Sequence, residues 1–455
     1  MDLAKLFKPE SLAVIGVSLT NESHPANVVY NKNYLHHHLR VYGVNSRGGS
    51  IRGERVYRKI GDIPQAVDLA LIAVKAELVP SVMIECIEAD VKGAVVVSAG
   101  FAETGADKLQ DELVVIAREA QFPFIGPNCL GVFAPPRIDT FFIPRERMVK
   151  PDNGRVAMVS QSGGVLTDQM VKCAAEGVGL SVAVSIGNKA LIKEADILRY
   201  FAEDPDTDLI TFYVEGFGRN EGRDFVLAAA ECRKPVIVLK TGKTQGGVRA
   251  AINHTACVAG DYQVFSDVMA QKGIVEATDE FEMVSFAEAL SCYPKNIEGR
   301  VGIITSSGGH GVLCADACFS HGLTVPAFEE PLQKELREAL SPIIRDIASC
   351  SNPVDLTGSS TDDDFIKAAT CLSRNPAVDC IIVLMLPYIP GVTMDLGARL
   401  GLVYQQEGKP LIAYVPHVEK YRMLVEGFNF NNMPVAHSVE DAVHMAEAMK
   451  RNRLC

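Results

Sequence analysis

The sequence has no apolar run approaching the roughly 20 residues that a membrane helix needs, which excludes a helical membrane protein. Its beginning, MDLAKLFKPESLAVIGVS, holds one short strand-like apolar run and no signal-peptide layout. It has no surplus of positive charge: a net charge of −12 argues against a general nucleic-acid binder, although a local basic patch is compatible with it. No helix-turn-helix pattern is evident, so nucleic acid and membrane are both set aside as partners. No disordered tract is present, since 48% apolar and 22% charged residues make an ordinary globular composition. There are 12 cysteines but no CxxC pair. Most lie inside apolar segments (Cys173, Cys232, Cys292, Cys314, Cys380), which reads as buried free thiols in a reducing cytoplasm rather than as disulfides. The run His36-His37-His38 has no Cys or carboxylate beside it and reads as an exposed helix end. No metal site is expected.

With 455 residues the chain is too long for one core, and two to four domains are expected. Short Val/Ile-rich runs alternate with amphipathic stretches throughout: SLAVIGVS, LALIAVKA, GAVVVSAG, RVAMVSQSGG, LITFYVEG, PVIVLKTG, RVGIITSSGG and CIIVLMLP. Continuous apolar strands imply sheets covered on both faces, the mark of parallel α/β architecture. GRVAMVSQSGGVLTD (154–168) and GRVGIITSSGGHGVL (299–313) align without a gap, and KPVIVLKTGK and KPLIAYVPHV match more weakly. This internal repeat implies two related domains. The expected organisation is α/β: a Rossmann-like domain over 1–140, then two flavodoxin-like parallel domains over 152–290 and 297–455, with PDNGR and YPKNIEGR as linkers.

Each copy of the repeat is strand, Ser-x-Ser-Gly-Gly, helix. That places Ser162, Gly163 and Gly164 at one helix N-terminus and Ser307, Gly308 and Gly309 at another. Unpaired N–H groups and the helix dipole favour an anion there, and glycine admits it to the backbone. Two copies suggest two helix ends serving one phosphate; a duplicated turn with one working copy is the alternative. In the first domain, SLAVIGVSLTNESHPANVVYN is strand–turn–helix without GxGxxG. The next strand ends in Asn45 and Arg47, where a dinucleotide fold would place an acid for the ribose. An Arg there suits a phosphate, which favours a ligand such as coenzyme A over NAD; a solvated turn residue is the alternative.

SLAVIGVS, VVVSAGFAETG, FIGPNCLGV, VSQSGGV, SIGNKA, YVEGF, RAAINHTACVAG, SSGGHGV and SNPVDLTG, in this order and over nearly the whole chain, resemble the NDP-forming acyl-CoA synthetases, relatives of succinyl-CoA synthetase. The chain looks like the α subunit of the ADP-forming acetate–CoA ligase type. The ATP-grasp domain that binds nucleotide is expected on a separate β subunit, in an α2β2 assembly, with Mg-ADP or Mg-ATP bound there. The resemblance implies a cytoplasmic acid–thiol ligase that interconverts acyl-CoA, phosphate and ADP with a carboxylic acid, CoA and ATP.

It also implies roles for individual residues. His254 in NHTACVAG matches the family's phosphorylated histidine, and imidazole chemistry suits a phosphoryl carrier near neutral pH. Glu215 in YVEGF matches the acid that orients this histidine. Asn128 in GPNCLG matches the residue beside the CoA thiol and acyl group, while its neighbour Cys129 reads as a packing thiol. Gly16, Ser18, Asn45, Arg47, Val74 and Ser98 match CoA-binding strand ends. The chain departs from the family at Asn253, Ala256 and Cys257 around the histidine. It departs again at Lys75, where Pro is common, and at His310, a rival phosphate acceptor on chemistry alone. A CoA-binding sensor or scaffold without turnover is the alternative function. Nothing in the sequence sets the acyl group.

Overall fold

The computed structural model describes residues 1–249 and 261–452. They form two compact units, Met1–Thr278 and Asp279–Cys455, built on three sheets.

The first sheet contains β1 (Ser11–Ile15), β2 (Arg40–Val44), β3 (Gly49–Ile51), β4 (Glu54–Tyr57), β5 (Leu69–Ile72), β6 (Gly93–Val96) and β7 (Phe124–Ile125), in the order β3-β4-β2-β1-β5-β6-β7. All its pairings are parallel except the β3–β4 hairpin. The second sheet takes β8 (Gly131–Ala134), β9 (Ile138–Asp139), β10 (Asn153–Ser160), β11 (Leu180–Ser185), β12 (Leu209–Val214), β13 (Val236–Lys240) and β14 (Val275–Ala277), in the order β14-β13-β12-β10-β11-β8-β9. The third holds β15 (Val301–Thr305), β16 (Val354–Asp355), β17 (Cys380–Leu384), β18 (Leu411–Tyr414) and β19 (Val435–Ala436), in the order β16-β15-β17-β18-β19. Each sheet contains five adjacent parallel strands in the order 2-1-3-4-5, to which the first sheet adds β4 in parallel beside β2; in this doubly wound order ligands bind at the strand carboxyl ends beside the first strand. The internal repeat of the sequence is therefore also a repeat of topology.

Alternation along the strands assigns each face its core. Leu12 and Val14 enter one apolar cluster and Ala13 and Ile15 another. The first of these continues through Ala157, Val159, Val182, Val184, Ile210 and Phe212 of the second sheet, so the first two sheets share a core. The core around β15, β17 and β18 is separate.

Two segments lie differently from their sequence reading. β8 and β9, inside the stretch assigned to the first domain, pair antiparallel as an extension of the second sheet through β11. The buried amide of Asn33, on the helix Pro25–His36, fastens β9 there, donating to Asp139 O at 2.7 Å and accepting from Asp139 N at 3.0 Å. PDNGR is already strand from Asn153. Within the second unit, the helix Glu280–Cys292 is tied to the third sheet, because Glu288 Oε1 accepts from Val435 N at 2.7 Å and the hydroxyl of Tyr293 donates to Leu411 O at 2.8 Å.

Candidate active site

The carboxyl rim of the first sheet gathers Gly16 and Ser18 after β1, Asn45 and Arg47 after β2, Val74 after β5, Ser98 after β6 and Asn128 after β7. Backbone geometry makes the rim shallow. Gly16 has φ +103°, and a Cβ there would meet Ala73 O at 2.2 Å, so no side chain can stand on the first turn. Asn27 holds that turn, its Oδ1 accepting from Ser18 N at 2.6 Å and its Nδ2 donating to Ser18 O at 2.8 Å. Asn45 bridges two strand ends, donating to Val17 O at 2.7 Å and accepting from Arg47 N at 2.9 Å; the side chain of Arg47 is left exposed. Ser98 Oγ donates to Val74 O at 2.6 Å. Lys75, exposed on the same rim, has φ −59°, the value a proline ring imposes, which explains how Lys and Pro can exchange here.

Asn128 is where this rim meets the second sheet. It has φ +55°, its N–H donates to Ser98 O at 2.9 Å, and its Nδ2 donates to Asn188 Oδ1 at 3.3 Å. Asn188, just past β11, donates in turn to Glu103 and Gln110. Burial would raise the Glu103 carboxyl, but the bonds it accepts from Asn188, Gly100 N and Phe101 N outweigh burial and hold it below its usual range. Cys129 is buried, its Sγ donates to Val96 O at 3.3 Å, and burial pushes its thiol up to about 12; it is a packing thiol, not a nucleophile.

Both Ser-Gly-Gly turns cap helices, Gly163–Ala175 and Gly308–Ser320. The bonds from the last strand residue to the turn repeat in both, whereas Ser162 Oγ accepts from Val165 N and Ser307 Oγ makes no such cap. Ser160 Oγ donates to Ser162 O at 2.7 Å and accepts from Ser162 N at 3.1 Å. Thr305 Oγ1 does the same for Ser307 at 2.9 and 3.0 Å. A Cβ at Gly164 or Gly309 would meet nothing within 4 Å, so neither glycine is required by packing.

The copies differ in what faces them. A Cβ at Gly163 would lie 2.9 Å from Leu130, two residues after Asn128, and Ser185 Oγ accepts from Leu130 N at 3.1 Å. A Cβ at Gly308 would lie 2.9 Å from Asp355 Oδ2, so a carboxylate already stands before the second helix dipole. His310 is engaged there, with Nδ1 3.1 Å from Ser307 Oγ and its ring stacked on Tyr414 at 6.0 Å.

Glu215 is buried at the end of β12. Around it is a polar network whose roles the sequence reading missed, although Gln161 and Lys189 stand in the quoted VSQSGGV and SIGNKA. Gln161 Oε1 accepts from Glu215 N at 2.7 Å and Gly216 N at 3.2 Å. Lys189 Nζ donates to Glu194, Glu221 and Gly216 O, and Lys240 Nζ donates to Glu215 O at 2.7 Å. Burial would lower the Lys189 ammonium, but Glu194 and Glu221 raise it. Burial would raise Glu221, but Lys189, Gly218 N and Lys193 hold it down to about 2. His254 lies outside the described residues. Among the described residues no group of three or more His, Cys, Asp or Glu is placed to hold a metal ion, and no helix is long and apolar enough to cross a membrane. His36 ends its helix, exposed. The ten described cysteines are free thiols, eight of them buried.

A CoA binding domain matches residues 10–135, a succinyl-CoA ligase like flavodoxin domain residues 153–290, and a ligase-CoA domain residues 301–399. That order of modules, on three doubly wound sheets, defines a CoA ligase of the succinyl-CoA ligase kind. The acetate–CoA ligase (ADP-forming) II subunit alpha of Pyrococcus furiosus is 35% identical over 97% of this chain and 96% of its own length. The acetate–CoA ligase (ADP-forming) I of Archaeoglobus fulgidus is 38% identical over 85% of this chain, which spans 55% of that protein. Among solved structures, the dinucleotide-forming acetyl-coenzyme A synthetase 1 of Ca. Korarchaeum cryptofilum, in complex with phosphate and ADP, superposes with a TM-score of 0.90 at 30% identity, covering 99% of this chain and 97% of that one. The chain belongs to the ADP-forming acyl-CoA synthetase family.

Proposed function

We propose that this chain is the α subunit of an ADP-forming acyl-CoA synthetase and carries out the first two of three transfers. Phosphate attacks the thioester carbonyl of acyl-CoA, the C–S bond breaks, and CoA leaves as the thiol with an acyl phosphate formed. A ring nitrogen of His254 then attacks phosphorus, and the carboxylate leaves. The phosphoryl group finally passes to Mg-ADP on an ATP-grasp β subunit, giving ATP, in an α2β2 assembly; the relatives' naming as subunit alpha supports a partner subunit. A cytoplasmic enzyme fits the free, buried thiols.

The observation that carries the reading is the closeness of Gly163 to Leu130, 2.9 Å from an added Cβ. It sets the phosphate turn against the segment that bears Asn128. This closeness supports neighbouring seats for thioester and phosphate within one compact unit. In this reading Gly16, Ser18, Asn45, Arg47, Val74, Ser98 and Asn128 bind CoA. Ser162, Gly163 and Gly164 bind the phosphate, with Ser307, Gly308 and Gly309 as a second phosphate-binding turn. The preorganised N–H groups stabilise charge that grows on the transferring group, and Glu215 fixes the tautomer of His254. A CoA sensor would have no use for the phosphate turn or Glu215.

Incubation of the full chain with acetyl-CoA and radiolabelled phosphate tests this. The expected result is an acid-labile, base-stable label on His254 that His254→Ala abolishes and His310→Ala leaves in place. Label on His310, or on no histidine under any of a panel of acyl-CoAs, overturns it.

A further inference from the structure

We propose that Gln161 and Lys189 are positioning residues for Glu215, coupling the phosphate turn to the carboxylate that orients the histidine. The inference rests on the roles given above to Glu215 and His254.

Gln161 stands inside the turn, between Ser160 and Ser162, and its amide is fully used. Oε1 takes Glu215 N at 2.7 Å and Gly216 N at 3.2 Å. Nε2 donates to Gly216 O at 2.8 Å and to Glu194 Oε1. The orientation of the amide is fixed by this chemistry, because a flipped group would set donor against donor and acceptor against acceptor. Lys189 Nζ spends its three protons on Glu194 at 2.9 Å, Glu221 at 2.9 Å and Gly216 O at 3.0 Å. The 215–216 backbone is therefore held at every polar atom: both N–H groups by Gln161, Gly216 O by Gln161 and Lys189, and Glu215 O by Lys240 at 2.7 Å.

The second copy of the repeat shows that the fold does not need this clamp. It has the same strand order and the same serine–threonine turn bonds, but Ser306 stands in place of Gln161, and its buried hydroxyl has no hydrogen-bond partner among the described residues. A buried lysine with two carboxylates is costly to assemble, and the copy without the candidate carboxylate omits it. What distinguishes the first copy is Glu215. A peptide locked to the phosphate turn keeps that carboxylate close to a fixed distance from an anion at the turn.

The test is the single-turnover rate of His254 labelling by the full chain with acetyl-CoA and radiolabelled phosphate. Gln161→Met and Lys189→Met should each slow labelling by roughly tenfold to a hundredfold, the scale of a small misplacement of a reacting group, while calorimetric CoA affinity is kept. Lys189→Arg should recover part of the loss. The decisive variant is the double Gln161→Met, Glu215→Gln. If Gln161 acts through Glu215, it labels no more slowly than Glu215→Gln alone; losses that multiply overturn the inference. Gln161→Glu keeps the acceptor for the two amides but sets a second carboxylate oxygen against Glu194 and Gly216 O, so it should also label more slowly than wild type and serves as the test if the methionine variant does not fold. Absence of label on His254 in the unmodified chain overturns the parent reading and this one with it. A label slowed by Glu215→Gln but untouched by Gln161→Met overturns this one alone.

Discussion

At Gly164 and Gly309 the demands of folding and of function separate. Both lie at the second position of a helix, both are exposed, and neither would bring a Cβ into contact with anything. Alanine in a helix is favoured over glycine by about 0.5–1 kcal/mol. Gly164→Ala should therefore leave the melting temperature unchanged or raised, while His254 labelling falls at least about tenfold because the methyl stands where an anion would approach the backbone. Unchanged labelling would show the glycine to be inherited, not used. Gly309→Ala should cost less, since the Asp355 carboxylate already faces that helix end. The glycines themselves were legible in the sequence. The carboxylate was not, because Asp355 is brought to the turn by the parallel pairing of β16 with β15.

The start of the helix Glu221–Glu231 shows how an element is built into the site. Glu221 is its first residue; its Oε2 accepts from Gly218 N at 2.7 Å and from Lys189. The carboxyl is held down from 4.5 to about 2. A depressed carboxyl contributes stability above its unfolded pKa and loses it as pH falls through the folded one. Thermal melts should therefore hold level down to about pH 4.5 and decline between 4.5 and 2. Glu221→Gln should melt lower than wild type at neutral pH, with Lys189 short of a partner, and show a flatter acid limb. A parallel acid limb in the variant would assign the decline to other groups. Strand–turn–helix units and their repeat could be read from apolar periodicity and paired glycines, since these are local. The clamp could not, because Gln161 meets Glu215 54 positions along the chain. Nor could the true start of β10, since Asn153, Gly154 and Arg155 carry turn-like composition and enter the strand only by pairing.

For the whole molecule, the distribution of cores predicts which pieces stand alone. The third sheet has its own apolar cluster, and with the helix Glu280–Cys292 it lies within one compact unit. The first sheet shares a cluster with the second. A fragment from Asp279 onward should show a cooperative melt by circular dichroism, and 1–278 should do so as well. Residues 1–140 alone should not, because Leu12, Val14, Leu69 and Leu71 would lose the facing strands and the hairpin its sheet. A sharp transition for 1–140 would mean that the shared core is dispensable. Sequence composition marks 140–152 as a boundary, and the matched family models leave a gap there; which sheet a hairpin joins is decided by long-range pairing that composition does not encode.

The hairpin of β8 and β9 also sets an order of events during synthesis. Its strand Gly131–Ala134, paired on one side with β9, gains its second neighbour only when Leu180–Ser185 arrives, about 45 residues later. At roughly 5–20 residues per second, the nascent chain carries an unpaired apolar edge of Val132, Phe133 and Ala134 for several seconds. Slowing translation between codons 140 and 180 should lengthen that window and increase the share of chains captured by chaperones or lost to aggregation, whereas the same delay placed between 279 and 300 should not.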